Sequence, residues 1–192
     1  MRRKTLDALL TTGGLVVAAV LLIAGGLLTY GHSFVHNEVR TQLAAQQIFF
    51  PATGTPGLAD PLIKPYLSKY AGQQLLTGVE AKAFADHYIA VHLNTIGGGK
   101  TYSQLSAASL AAPTDTVLAG KVATVFKGET LRGLLLNAYA FDTMGTLALI
   151  AAIVSFSGAG IMILLSGFGF LHLRRETRQT DVLVIDRTPT PV

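Results

Sequence analysis

The sequence predicts an all-α membrane protein in which two transmembrane helices flank a helical extracytoplasmic domain. Two observations predict this class. The first is a pair of apolar stretches, Ala8–Tyr30 and Met144–Leu173, that hold no Asp, Glu, Lys or Arg. Each exceeds the ~20 residues a helix needs to cross a bilayer core. The second is the segment between them. Its polarity is mixed, helix-cap and glycine signals divide it, and no alternating β-branched run reads as a strand. The expected organisation is a cytoplasmic N-terminus over 1–7, a first span over 8–30, an extracytoplasmic domain over 31–141, a second span over 142–173 and a cytoplasmic tail over 174–192.

Orientation follows from the basic residues. Arg2, Arg3 and Lys4 precede the first span, and Arg174, Arg175 and Arg178 follow the second. Lys and Arg flanking a span stay cytoplasmic, which predicts a multi-pass plasma-membrane protein with both termini inside. The middle segment is nearly neutral, so the net charge of +4 sits where topology needs it and gives no reason to expect a nucleic-acid partner. The first apolar run is longer than the h-region of a secretory signal and no A-x-A site follows it, so an uncleaved anchor is expected. The chain has no cysteine, which excludes disulfides and thiol chemistry.

The elements follow in order. Apolar residues Val35, Val39, Leu43 and Phe50 extend the first helix from His36 to Phe50, where Pro51 stops it. A turn-rich loop covers 51–60. Asp60 then caps a short helix opening at Pro61, which Pro65 keeps short. Thr77 and Glu80 form a capping-box pair, and Ala81, Phe84, Ala85, Tyr88, His92 and Ile96 line one face of the helix they open. Gly97, Gly98 and Gly99 end it. Thr101 and Gln104 repeat the box signal for a helix that Pro113 ends. Asp115 or Thr114 caps the last outer helix, which runs into the second span with candidate bends at Gly128 and Gly133. The tail holds an apolar run, Asp181–Asp186, suited to adding as a strand to a partner's sheet edge, with disorder as the default state.

Small residues mark a candidate helix-packing face. Gly14 and Ala18 stand four apart in the first span, and Ala151, Ser155 and Ala159 stand four apart in the second. Such faces let helix backbones approach inside lipid. Two uses are open: the spans pack on each other, or one face takes a partner span or a second copy of the chain. Neither span holds an ionisable residue near its middle, which argues against a proton path or ion pore in this chain alone.

Chemical candidates are thin. His32 and His36 stand one helical turn apart, a spacing that can hold a metal, with Asp86 and His87 as further candidates. However, His87 and His92 fall on different faces and no HExxH pattern exists, so interfacial and core roles are expected for these histidines and no metal site is assigned. Gly97–Thr101 resembles the end of a phosphate loop, but the Walker pattern needs glycine where Asn94 stands. Ser103, Ser106 and Ser109 lack a nucleophile elbow. Glu129 and Arg132 suit a helical ion pair. No catalytic residue and no cofactor are expected, and the chain reads as non-enzymatic.

The segments Gln42–Pro51, Tyr70–Leu75, Gly97–Tyr102 and Phe126–Phe141 resemble a family of uncharacterised actinobacterial two-span integral membrane proteins. The resemblance covers the spans and the middle segment. It implies a plasma-membrane location and carries over no activity, cofactor or site residue. The function expected is that of an accessory, scaffold or assembly subunit of a membrane complex, with the lipid bilayer and another membrane protein or a second copy as partners. The alternative is an extracytoplasmic sensor or ligand-binding module that signals through a separate partner.

Overall fold

A computed structural model describes residues 3–185, and these are helical with no strand among them. The elements are α1 (Arg3–Ala45), α2 (Pro56–Ala59), α3 (Lys64–Leu67), α4 (Gly78–Phe84), α5 (Ala90–Gly97), α6 (Tyr102–Ala111) and α7 (Thr116–Ile185), with a π-turn over Ala85–Ile89 joining α4 to α5. The chain divides into two compact units. One comprises 1–31 and 147–192, the other 32–146. Asp142, read from sequence as the first residue of a span, therefore lies in the central unit.

In the terminal unit, α1 and α7 each contain a segment long and apolar enough to cross a membrane. Only 11% of each most apolar window is buried, so both segments leave most of their apolar surface uncovered. The two helices run antiparallel. Thr11, Gly14, Ala18, Leu21, Gly25 and Leu28 alternate at three- and four-residue steps and form the covered side of α1. Ala152, Ser155, Ala159, Met162, Ser166 and Gly169 do the same on α7. That alternation is the seam of a left-handed helix pair. Glycine allows the close approach. A Cβ at Gly14 would strike the Ser166 hydroxyl, and one at Gly25 would lie 2.8 Å from the Phe156 ring.

The central unit holds a core of Val39, Leu43, Phe50, Leu67, Leu75, Phe84, Leu93, Val125 and Leu135, among others. Its helix starts are chemical. Thr77 and Glu80 make both bonds of a capping box at α4, and Thr101 and Gln104 make both at α6. Asp115 accepts the Leu118 N–H at 2.9 Å to open α7.

Several expectations are corrected. Helix α1 ends at Ala45 and not at Phe50, because residues 48–50 are extended and pair with 73–75: Phe50 N–H bonds Gln73 O and Leu75 N–H bonds Ile48 O, each at 2.9 Å. Asp60 does not cap a helix opening at Pro61. It closes α2, accepts the Leu62 N–H at 2.8 Å, and the next helix opens at Lys64 with Pro65 in its first turn. Helix α7 is continuous through Gly128 and Gly133. At Gly128 a Cβ would collide with Leu93, so that glycine sets a close approach. Beyond the second apolar stretch the backbone stays helical to Ile185, where a strand or disorder is expected from sequence, and residues 186–192 of the tail lie outside the described residues.

The inner face of the Thr77–Gly97 helix also differs. The buried residues are Ala81, Phe84, Ala85, then Ile89, Leu93 and Gly97, whereas Tyr88 and Ile96 are half-buried and His92 is exposed. The cause is the π-turn, in which the Ala90 N–H reaches back five residues to Ala85 O. One extra residue in the turn advances the buried face by one position.

Candidate functional site

Two features of the central unit bear on function. The first is an apolar groove between α1 and α7. Phe34, Val35, Val39 and Leu43 form one wall, Leu131, Leu134, Leu135, Ala138 and Phe141 the other, and Ile48 lies at one end. Its volume is about 500 Å³, within the ~300–1,000 Å³ range of small-molecule sites. The polar residues along it are Glu38, Gln42, Gln46 and Asn137. Glu38 accepts a hydrogen bond from Gln42 Nε2 at 2.7 Å and makes no ion pair among the described residues. Among the described residues no lysine or arginine lines the groove. Helical periodicity builds it: the α1 residues recur at steps of three and four, so their side chains share one face.

The second feature is a junction built on Asp142. Its carboxylate accepts from His36 Nδ1 at 2.7 Å and from the Gly78 N–H at 3.2 Å. Asp142 is only 8% exposed, and a buried carboxylate needs such partners. Gly78 must be glycine here, because a Cβ would press on the Asp142 side chain. One turn earlier on α1, His32 Nδ1 donates to Gly145 O at 2.9 Å, and its ring meets His36 edge-on with centroids 4.4 Å apart. His32 Nδ1 thus serves a carbonyl and His36 Nδ1 a carboxylate. Among the described residues no group of three or more His, Asp or Glu is arranged to hold a metal.

The remaining candidates have local roles. Asp86 bonds Lys82 on its own helix and Arg132 on α7 at 3.3 Å, and Arg132 also meets Glu129 at 3.4 Å. The hydrogen bond from Lys82 is the main reason the Asp86 carboxyl titrates below its ordinary value, outweighing partial burial, and the same bond raises Lys82. His87 stacks on Tyr66, centroids 3.6 Å apart. His92 Nδ1 donates to Tyr88 O at 2.8 Å. Gly98 takes the left-handed turn that ends α5, and Lys100 and Thr101 lead into the cap of α6. Ser103, Ser106 and Ser109 all lie on α6.

Of the small-residue face, Ala18 is 2% exposed and Ala159 is fully buried, Gly14 and Ser155 are half-buried, and Ala151 is exposed. Ala152, one residue on, takes the buried place. Sequence reasoning missed Asp142 and Glu38. Asp142 did leave a signal: it is the lone charge between Arg132 and Arg174, across the chain from two histidines at the end of the other apolar run. No family model, curated protein or solved structure matches the chain.

Proposed function

We propose that the chain is a non-enzymatic integral plasma-membrane protein whose central unit lies outside the membrane and binds an apolar molecule. The apolar groove carries this reading: its volume suits a small ligand, and its walls are almost wholly aliphatic and aromatic. The basic ends, Arg2, Arg3 and Lys4 and then Arg174, Arg175 and Arg178, support cytoplasmic termini and an extracytoplasmic groove. In this reading, occupancy of the groove acts through a separate partner. The family resemblance, to two-span actinobacterial membrane proteins, is consistent with this placement.

A second reading is an accessory, scaffold or assembly subunit. One observation favours it. Ala151 is exposed, and Gly26 and Gly160 have open space beyond Cα, so small residues remain on the outside of the helices after the α1–α7 seam has used its own.

The test uses the full-length protein in nanodiscs. Thermal melts are followed by near-UV circular dichroism of the six tyrosines, since the chain has no tryptophan. A panel of apolar small molecules is screened. A ligand at about 100 times its Kd should raise the midpoint by roughly 5–10 °C, and Ala138→Phe, which fills the groove, should abolish the rise. A flat screen, together with a membrane protein that co-purifies at fixed stoichiometry from mild detergent, would favour the accessory reading.

A further inference from the structure

Resting on the groove reading, the geometry points to a specific ligand class: a single-chain amphiphile with a cationic amine head, taken from the bilayer. Three observations combine. The walls are apolar and the groove is open, so an alkyl chain can lie along it with one end in water. Among the described residues, the only charged one along the groove is Glu38, an exposed acid that accepts a bond from the neutral amide of Gln42 and has no basic partner there. Gln42, Gln46 and Asn137 add neutral hydrogen-bonding groups beside it.

An alkyl chain buried against Val39, Leu43, Leu134 and Leu135 gains the usual apolar transfer energy whatever its head group. The head decides selectivity. A carboxylate or phosphate head meets a like charge at Glu38 and finds no lysine or arginine in the lining. An ammonium head meets an opposite charge and a set of acceptors. The source follows from position. Phe34 lies four residues after Tyr30, where the first apolar run ends, and Phe141 three residues before Met144, where the second opens. An amphiphile already dissolved in the bilayer reaches such a groove without crossing water.

Dodecylamine, dodecanol and dodecanoate share one chain and differ in head charge. Each is titrated, at matched bilayer mole fraction, into the full-length protein in neutral phosphatidylcholine nanodiscs, and binding is read from the melt midpoint. The expected order is amine, alcohol, carboxylate, with the amine about fivefold tighter than the alcohol, as suits a partly exposed charge pair. Glu38→Gln keeps the shape and should bring the amine to the level of the alcohol while leaving the alcohol unchanged. Equal binding of all three heads, or a ranking that survives Glu38→Gln, overturns the amine assignment while the groove reading stands. Failure of all three to bind overturns both.

Discussion

His36 Nδ1 lies 2.7 Å from Asp142 Oδ1, and the second oxygen of the same carboxylate holds the Gly78 N–H at 3.2 Å. One buried side chain thus joins α1, α7 and the first residue of α4. Asp142→Ala removes both bonds and leaves the Gly78 N–H without its acceptor at a buried position. We expect a loss of about 2–3 kcal/mol, a fall of roughly 5–10 °C in the melt midpoint. Gly78→Ala crowds the same carboxylate. The double variant should lose less than the sum of the two, since both act on one contact. Additive losses would mean that the two sites are independent.

The π-turn at Ala85–Ile89 makes an unusual forecast. Deleting one residue from a helix normally rotates everything after it by ~100° and exposes the core face. Deleting His87 removes the extra residue instead. Ile89, Leu93 and Gly97 then fall at the spacing from Ala81 and Ala85 that a regular α-helix buries. The cost is confined to the Tyr66–His87 stack, roughly 0.5–1.5 kcal/mol. Deleting Val91, past the turn, should unfold the central unit. Circular dichroism and melts of the two deletions decide this, and equal damage from both would refute the phase argument.

The legible parts of the fold were those set by local chemistry. Thr77 with Glu80, Thr101 with Gln104, and Asp115 each satisfy orphan N–H groups within a turn of their own position, so sequence spacing suffices to find them. The end of α1 was not local. It depends on residues 48–50 meeting 73–75, and Pro51 alone suggested a stop five residues late. The buried face after Ala85 failed because a π-turn has no spacing signature. Ala151 was chosen over Ala152 because a four-residue motif from Ser155 points to one, while the three-and-four seam uses the other. The groove stayed hidden because it needs two helices, nearly 100 residues apart in the chain, turned to known faces.

The Lys82–Asp86 pair sets a pH window. The hydrogen bond from Lys82 holds Asp86 below its ordinary 3.8, so its contribution is present above that value and is lost as acid protonates the folded carboxylate. Lys82 is raised above 10.5, so its contribution is present below 10.5 and is lost as pH climbs through the folded value. Side-chain exposures of 46% and 24% leave solvent to screen the pair, which limits its worth to about 0.5–1 kcal/mol. The midpoint difference between the parent chain and Asp86→Asn should therefore be flat from pH 5 to pH 9 and should shrink below about pH 4. A difference that grows in acid would contradict the sign.

Ala151 and Ala152 separate the two uses of the small-residue face. Ala152 is 1% exposed on the α1–α7 seam, whereas Ala151 faces away. A leucine at 152 has no room against α1 and should cost about 1–3 kcal/mol by overpacking. A leucine at 151 enters open surroundings and should leave the melt of the lone chain unchanged. If the second functional reading holds and another span docks beside Ala151, then Ala151→Leu should strip that partner from the detergent-extracted complex while stability stays constant. Ala152→Leu should instead lower stability whether or not a partner is present. A stability loss at 151 matching that at 152 would place Ala151 on the intramolecular seam and withdraw the observation on which the accessory reading rests.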